Sequence, residues 1–388
     1  MRNIVKVLDI GTQSIKAVVA EIPPGEEALK ILGVSMVLTE GVRRGAVVRP
    51  ESLVPKIKEA MREAERSSGI PFKNAYLAFG SSALGFQKSR ARVSVSTGSG
   101  EITSYDVERV LKQARPARQT FLNREILESY PLNFSVDSEL NLKDPIGIRG
   151  ESLEAEVLFV TALEKPLAQL VGAAEEAGLA IDDVRPSPLA SARALLPRKL
   201  TEVGALALDI GAETMSLAVF EENSPLSLAV FPFGSAHITN DIALGFQISL
   251  PEAERAKLSN APPDDSVAAR KKFQNVVEAR LEDMFELVQG HLKKIGRAGL
   301  LPGGVVLGGG GARISDLVEF AKNSLKLPAD LGKCQGLEAN HKLHDPIWAA
   351  AVGLCLLASD EYREPSSPFR KPSMLRQKIS SWFKSLIP

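Results

Sequence analysis

Several features that mark common functional classes are scarce in this sequence. Its 388 residues include two cysteines and four histidines, and its 47 basic residues equal its 47 acidic residues. Cys334 and Cys355 form no CxxC or other metal-ligand spacing, so we expect no disulfide scaffold and a reducing, cytosolic setting. The balanced charge gives no overall attraction to nucleic acid.

Long apolar runs and histidine motifs are also missing. No run approaches the ~20 apolar residues that a transmembrane helix needs. The N-terminus leads directly into a predicted strand, without the longer apolar segment of a signal peptide. The histidines form no HExxH pattern, and His341 and His344 beside Asp345 imitate a metal site only weakly. We therefore predict a soluble body without a histidine metal centre.

The sequence does contain two nearly identical turns. Asp9-Ile10-Gly11-Thr12 recurs in the second half as Asp209-Ile210-Gly211-Ala212. Each turn lies between two apolar runs, which predicts a β-hairpin with a tight turn. The backbone N–H groups of such a turn can cradle phosphate, and an adjacent Asp can hold Mg²⁺ through water. The repeat predicts two related domains that face a nucleotide.

A glycine cluster is the third feature of this kind. The apolar run Val305–Leu307 leads into four glycines, Gly308–Gly311, and Ser315 is a plausible N-cap for a helix that ends near Asn323. Glycines let backbone and ligand approach closely, and a helix N-terminus favours anionic or polar groups. Alone, the cluster could be a flexible connection. Together with the two hairpins it predicts a ligand site.

The remaining pattern alternates strands and helices. Residues 82–158 contain short β-prone pieces around one helix, and we interpret them as a small α+β insert in the first domain. In the second half, Val276–Ile295 is a long amphipathic helix with apolar residues along one face.

The last thirty residues differ from the body. Residues 359–373 are rich in Pro, Ser and charge, which is typical of a linker. From Pro365 onward there are five basic residues and no acidic one. Residues 374–388 predict an amphipathic helix that could lie in a bilayer interface or, alternatively, dock on its own protein. Its apolar face is formed by Leu375, Ile379, Trp382, Phe383 and Leu386.

Together these residues resemble the bacterial cell-division protein FtsA, a family of the actin-like ATPase superfamily. The hairpins and the glycine cluster are specific only to the superfamily, whereas the insert after residue 81 and the tail narrow the resemblance to FtsA. Further matching stretches are residues 41–48, 144–154, 232–242 and 302–312. The resemblance implies an α/β, two-lobed actin-like (ribonuclease H-like) ATPase fold with an α+β insert in lobe I and a C-terminal amphipathic helix.

The resemblance also implies a division into subdomains. Lobe I would comprise subdomain IA (1–81 and 159–197) and the inserted subdomain IC (82–158). Lobe II would comprise subdomain IIA (198–243 and 301–358) and a shortened subdomain IIB (244–300). The linker and the membrane-targeting helix would follow.

In that fold, ATP and Mg²⁺ would occupy the cleft between the lobes. Lys16 would contact phosphate, Glu254 and Lys257 would contact ribose or base, and Asp9 and Asp209 would approach Mg²⁺ through water. The nucleotide-binding residues that the resemblance implies are Asp9, Gly11, Thr12, Gln13, Ser14, Lys16, Asp209, Gly211, Ala212, Glu213, Thr214, Gly234, Glu254, Lys257, Gly309, Gly310 and Gly311.

The function implied is a cell-division adaptor that polymerises and tethers FtsZ filaments to the cytoplasmic membrane at the septum. Its partners would be the FtsZ C-terminal peptide, further copies of itself, anionic lipids and other division proteins through the insert, but not nucleic acid. The protein would be peripheral, on the cytoplasmic face of the membrane.

Two departures from the family pattern bear on this function. The second turn reads Ala212-Glu213-Thr214-Met215-Ser216 where the family has Gly-Gly-Thr-Thr-Asp. Glu213 would repel phosphate, point away from it or help to bind Mg²⁺, so we expect ATP binding with at most slow hydrolysis. The segment from Lys257 to Phe273 also lacks the strand-forming stretch that usually builds subdomain IIB, which leaves FtsZ binding open.

Other proteins with actin-like phosphate turns remain as alternatives. A scaffold similar to PilM of type IV pilus assembly shares the lobes and the insert, but has no need of an amphipathic tail. A sugar or acetate kinase would require an acceptor site, for which the sequence offers no constellation. A heat-shock chaperone would require a substrate-binding β-domain after the ATPase body, which is absent.

Overall fold

The computed structural model describes residues 2–116, 122–137, 139–262, 264, 266–338 and 341–363. The predicted membrane helix at 374–388 lies outside the described residues, as does the predicted linker from residue 364 onward. No helix among the described residues is long and apolar enough to cross a membrane.

The described residues form sixteen strands and ten helices. Residues 3–79 form β1 (Asn3–Ile10), β2 (Ser14–Ile22), β3 (Lys30–Leu38), β4 (Val42–Arg43), β5 (Ala46–Val47), α1 (Pro50–Ser68) and β6 (Asn74–Phe79). Residues 84–163 form β7 (Leu84–Ser94), α2 (Ser104–Ala114), β8 (Arg124–Val136), β9 (Glu139–Leu142) and β10 (Ser152–Leu163). Residues 164–203 form α3 (Glu164–Glu176), β11 (Ala180–Pro186), α4 (Ser187–Leu195) and α5 (Arg198–Val203). The remainder forms β12 (Ala205–Ile210), β13 (Met215–Glu221), β14 (Ser224–Phe231), α6 (Ser235–Phe246), α7 (Leu250–Ser259), α8 (Val267–Lys294), β15 (Val305–Gly308), α9 (Leu317–Leu325), β16 (Ala329–Leu331) and α10 (Ala349–Arg363).

Two five-stranded sheets of equal topology form the two lobes. In the first sheet the strand order is β11-β6-β1-β2-β3, and in the second it is β16-β15-β12-β13-β14. In each sheet the first hairpin, β1–β2 or β12–β13, is antiparallel. The first strand of each hairpin also pairs in parallel with a later strand, β1 with β6 and β12 with β15. The repeated turns therefore occupy equivalent positions in two related lobes, as the sequence predicted.

The insert is a separate α+β unit on the first lobe. Its antiparallel sheet has the order β7-β10-β8-β9, and α2 packs on it over a core that includes Val107, Phe134 and Val157. The buried Arg185 of β11 ties the insert to the lobe, since its guanidinium lies 3.3 Å from Glu128 of β8 and 3.0 Å from Asp183. The same guanidinium pairs with Glu361 of α10.

Two helices are exchanged between the lobes. α4 follows the first sheet along the chain but packs on β12 and β13 of the second, whereas α10 comes from the second lobe and packs on β1, β2 and β6. The two helices cross at Gly353 and Ala190. A Cβ atom on Gly353 would lie 1.6 Å from the carbonyl oxygen of Ala190, so only glycine fits at the crossing.

Three sequence expectations need correction. α8 begins at Val267 rather than at Val276, because Ser266 caps it by accepting the Ala269 N–H. The helix after the glycine cluster begins at Leu317 with Asp316 as its N-cap, and a short 3₁₀ turn at Gly310–Arg313 precedes it. α10 continues to Arg363, so residues 359–363 are helical where a linker was expected.

The segment between β14 and β15 contains helices and connecting turns but no strand among its described residues. Its helices are α6, α7 and α8, and no strand interrupts them among residues 232–262, 264 and 266–304. This agrees with the missing strand-forming stretch in the sequence. α6 packs on both α7 and α8, and the three helices extend the hydrophobic core of the second lobe.

The helix crossing can be tested with a pair of matched substitutions. Gly353→Ala should destabilise the protein by about 1–3 kcal/mol, because the new methyl group forces α4 and α10 apart. Gly290→Ala in the middle of α8, where a Cβ would meet nothing, should stabilise it by about 0.5–1 kcal/mol through helix propensity. Urea unfolding of both variants measures the contrast, and equal effects would argue against a tight crossing.

Candidate functional site

A cleft of about 240 Å³ lies between the two lobes, at the turns of the two opening hairpins. Each turn is closed by the same hydrogen bond. The Gly11 N–H donates to the Ser14 carbonyl at 3.1 Å, and the Gly211 N–H donates to the Thr214 carbonyl at 2.8 Å. The two turns therefore present equivalent backbone loops to one shared space.

The floor of the cleft carries three charged side chains. Asp9 of β1 pairs in register with Lys16 of β2, and the Lys16 ammonium lies 3.5 Å from the Asp9 carboxylate. Both side chains are about nine-tenths buried. In the second hairpin the same register pairs Asp209 with Ser216, so the second lobe contributes a carboxylate but no cation. The Lys16 ammonium is thus the cation that lies near both the Asp9 and the Asp209 carboxylates.

Asp209 is enclosed by Gly309 and by Ser191, which the sequence analysis did not select. The Ser191 hydroxyl of α4 donates to its carboxylate at 2.5 Å, and a Cβ on Gly309 would lie 2.3 Å from the carboxylate. Burial raises the pKa of Asp209 and the nearby Asp9 raises it further, while Ser191 and Lys16 oppose the shift. Ser191 reaches this position only because α4 crosses between the lobes, and no local sequence signal indicates that.

One wall of the cleft is a polar network on α6 and α7. The Lys257 ammonium lies 2.7 Å from the Glu254 carboxylate and donates to the Thr239 hydroxyl at 2.9 Å, and Thr239 donates to Glu254 at 2.5 Å. Partial burial would raise the pKa of Glu254, but the hydrogen bonds from Lys257 and Thr239 lower it instead. The Glu254 carboxylate therefore stays charged at neutral pH. Glu254 and Lys257 both face the cleft, where they can bind hydroxyl or amino groups.

The glycine cluster forms the opposite wall, and its three cleft glycines differ in role. Gly309 has a φ of 80° and contacts Asp209, and a Cβ on Gly311 would lie 2.5 Å from the Ile210 side chain. A Cβ on Gly310 would meet only Ile347, at 3.7 Å. Gly309 and Gly311 are therefore required by packing, whereas Gly310 leaves space for a ligand.

The structure brings most of the selected residues together, with two exceptions. Fifteen of the seventeen line the cleft, but Glu213 and Gly234 do not. Glu213 accepts a hydrogen bond from the Arg44 N–H instead, at 2.7 Å. Gly234 supports the second turn from behind, since a Cβ there would lie 2.6 Å from the carbonyl oxygens of Gly211 and Ala212.

Several lining residues were missed by the sequence analysis. Ile10 and Ser216 lie in the two hairpins, and Arg313 and Ile314 follow the glycine cluster. The others come from segments that contact the cleft only through the fold, and small or apolar residues of this kind carry no recognisable pattern. The missed residues are Ile10, Gly45, Gly80, Ser187, Ser216, Ser235, Ala236, Leu258, Arg313, Ile314, Ile347 and Ala350.

The acidic residues of the cleft do not by themselves form a metal site. Among the described residues, no group of three or more His, Cys, Asp or Glu side chains could hold a metal ion. Asp9 is paired with Lys16, and Asp209 is held by Ser191. A divalent cation would therefore need oxygen ligands from another source, such as phosphate and water.

The duplicated lobes and the cleft between them define an actin-like ATPase fold. A solved PilM–PilN type IV pilus biogenesis complex aligns with a TM-score of 0.66 at 20% identity, covering 92% of this chain and 98% of the other. MreB5 of Spiroplasma citri, solved with AMPPNP bound, aligns with a TM-score of 0.54 at 13% identity, covering 94% and 98%. At these identities the likeness establishes the fold.

Sequence relatives then identify the family. The profile described as "Cell division protein FtsA" matches residues 206–353, and that of the "SHS2 domain inserted in FTSA" matches residues 82–161, which is the insert. The cell division protein FtsA of Bacillus subtilis is 31% identical over 90% of this chain and 82% of its own length. FtsA of Borreliella burgdorferi is 29% identical over 98% of each chain. The chain belongs to the FtsA family of cell-division proteins.

The partly buried Asp209 carboxylate at the cleft floor predicts a pH-dependent stability difference. Because the pKa of Asp209 is raised on folding, the folded state loses stability as the pH rises from the unfolded value, about 4, through the folded pKa. Asp209→Asn should therefore be more stable than the wild type at pH 7, and this gain should vanish below about pH 4. Urea unfolding at both pH values measures it, with the exposed Asp330→Asn as a control that should show no gain. No gain for Asp209→Asn at pH 7 would contradict the prediction.

Proposed function

We propose that the protein is an ATP-binding, actin-like adaptor that polymerises and tethers FtsZ filaments to the cytoplasmic membrane at the division septum. The observation that carries this proposal is the meeting of two equivalent hairpin turns at one cleft in a member of the FtsA family. Nucleotide binding, membrane binding and partner binding are proposed for different residues.

The cleft suits a nucleoside triphosphate in its charge and shape. The Gly11–Ser14 and Gly211–Thr214 turns offer backbone N–H groups to phosphate, and Lys16 supplies a cation between them. Glu254 and Lys257 would bind the ribose or base, with Gly310 on the opposite wall. MreB5, which shares this fold, has been solved with AMPPNP bound, which supports nucleotide binding here.

The size and the charges of the cleft favour ATP as a ligand that changes the arrangement of the lobes, rather than as a rapidly hydrolysed substrate. Ligand pockets usually measure about 300–1,000 Å³, and the cleft, at about 240 Å³, is smaller. Binding would then require the lobes to adjust, which couples the nucleotide to their arrangement. Ser216 stands where the family has a carboxylate, so we expect hydrolysis to be slow. Mg²⁺ would be held by phosphate oxygens and, through water, by Asp9 and Asp209.

The membrane part of the proposal rests on the sequence of residues 374–388. The apolar face with Trp382 and Phe383 would be buried at the bilayer interface, and the basic residues would be attracted to anionic lipid. The described chain reaches residue 363 in the exposed last turn of α10, where the Arg363 guanidinium donates to the Glu26 and Glu27 carbonyls. This contact holds the end of the described chain against the first lobe.

FtsZ binding is proposed for the helical region of the second lobe. Leu244 of α6 and Val267 of α8 are 78% and 85% exposed, so this region presents two aliphatic side chains to solvent. Lys272 of α8 donates to the Gly245 carbonyl, so α6 and the first half of α8 form one surface. An apolar surface with adjacent lysines is suited to a short peptide that carries apolar and acidic residues. Self-association through the lobes and contacts of other division proteins with the insert complete the proposed partners.

A scaffold of a pilus or secretion assembly is the weaker candidate. The PilM–PilN complex shares the fold, but its 20% identity supports nothing beyond the fold. Family membership and the basic amphipathic tail both favour division. The two candidates differ in whether residues 374–388 bind lipid directly.

Nucleotide binding can be tested at Gly310. Gly310→Val should weaken ATP affinity at least about tenfold, because the new side chain enters the cleft without meeting the core. Gly98→Val, at an exposed position of the insert where a Cβ meets nothing, is the matched control and should leave affinity unchanged. Equilibrium titration with a fluorescent ATP analogue measures both. Equal affinity of Gly310→Val and wild type would remove the glycine cluster from the site.

Membrane tethering can be tested by co-sedimentation with anionic liposomes in the presence of ATP. The full chain should pellet, whereas a chain that ends at Glu364 and the Trp382→Glu variant should stay in solution, since both lose the apolar face. FtsZ of the same organism should pellet with the full chain and remain soluble with the truncated one. Binding of the truncated chain to liposomes would contradict the anchor, and a full chain that stays in solution would favour the pilus-type scaffold.

A further inference from the structure

One hydrogen bond joins the two lobes directly at the rim of the cleft. The Arg44 N–H, in the turn between β4 and β5 of the first lobe, donates to the Glu213 carboxylate of the second turn at 2.7 Å. Glu213 lies between Ala212 and Thr214, which both line the cleft. The bond therefore spans the cleft beside the predicted phosphate loops.

The first-lobe side of this contact is held in place by its backbone. Arg44 and Gly45 have φ values of 50° and 72°, so both central residues of the hairpin turn are left-handed, as a type I′ turn requires. The Gly45 N–H donates to the Thr12 hydroxyl at 3.3 Å, and a Cβ on Gly45 would lie 2.4 Å from the Gly80 carbonyl oxygen. The turn is thus tied to the first phosphate loop.

The second-lobe side is equally constrained. The Ser235 and Ala236 N–H groups donate to the Gly211 and Ala212 carbonyls at 2.9 and 2.8 Å, and so anchor the second turn to the start of α6. Glu213 projects from this anchored turn. The Arg44–Glu213 bond consequently connects two segments that are each fixed within their own lobe, and separating the lobes at this rim requires breaking it.

We propose that Glu213 is a positioning residue that clasps the lobes together and slows the release of a nucleotide from the cleft. The inference rests on the proposed nucleotide binding and adds a specific role for Glu213. The sequence alone left open that Glu213 repels phosphate or binds Mg²⁺. Because the Glu213 carboxylate accepts a hydrogen bond from the Arg44 N–H across the cleft, Glu213 instead makes it harder for the lobes to separate. A hydrogen bond to a charged acceptor is stronger than a neutral one.

The clasp can be tested with Glu213→Ala and Glu213→Gln. Glu213→Ala should speed the release of a fluorescent ATP analogue roughly fivefold, as expected for one partly exposed hydrogen bond to a charged group. Glu213→Gln keeps an acceptor oxygen but loses the charge, so its release rate should be intermediate. Stopped-flow displacement by excess ATP measures release. Hydrogen exchange of residues 42–46 in the nucleotide-free protein measures the clasp itself, and Glu213→Ala should raise it.

A second contact between the lobes provides the matched control. Glu222 pairs with Lys143 of the insert at 2.8 Å and does not line the cleft. Glu222→Asn, which tolerates the φ of 50° at that position, should leave both nucleotide release and exchange at 42–46 unchanged.

Each remaining outcome has a distinct meaning. Unchanged exchange at 42–46 in Glu213→Ala would overturn the clasp, and unchanged release with faster exchange would overturn its effect on the nucleotide. Slower release or tighter binding in Glu213→Ala would show that the carboxylate repels phosphate, which also overturns the inference. Failure of the wild type to bind the analogue would overturn the proposed nucleotide binding, and the inference with it.

Discussion

The crossing of α4 and α10 is the contact on which the two-lobed arrangement depends. Each helix belongs to one lobe along the chain and packs on the sheet of the other. At Gly353 and Ala190 they approach so closely that one methyl group would not fit. This geometry keeps the sheets side by side with their hairpin turns facing one another. The same α4 carries Ser187 and Ser191 to the cleft, so the crossing also determines how Asp209 is held.

The charges of the cleft follow from burial in a shared space. Its floor carries two carboxylates, Asp9 and Asp209, and one ammonium, that of Lys16. The Ser191 hydroxyl donates a hydrogen bond to Asp209 and so stabilises the second carboxylate. Phosphate would bring further negative charge to this place, to be met by backbone N–H groups and a cation. Glu213 is turned out of the cleft towards Arg44, which avoids adding a third carboxylate to the site. The site thus combines a compact polar floor with a contact that joins its two sides at the rim.

Much of the fold could be predicted because its signals are local. The hairpins β1–β2 and β12–β13 have apolar runs and tight turns in the sequence, and the structure confirms both. The insert was expected at 82–158, and the SHS2 profile matches 82–161. Helix ends were less accurate, since the start of α8 at Val267 and of α9 at Leu317 depends on capping by single residues. The linker was expected from residue 359, but α10 continues to Arg363, and Ser359, although polar, is buried in the body.

The sequence by itself determined the two tight hairpin turns, the presence of Lys16 directly after the first turn, and the amphipathic pattern of the basic residues 374–388. These depend on residue type and spacing along the chain. Only the tertiary structure decided that Ser191 holds Asp209, that Gly310 and not Gly309 or Gly311 leaves room for a ligand, and that Glu213 contacts the opposite lobe. Each of these contacts joins segments far apart in the chain. The packing of two lobes around crossed helices brings them together, and no local pattern records it.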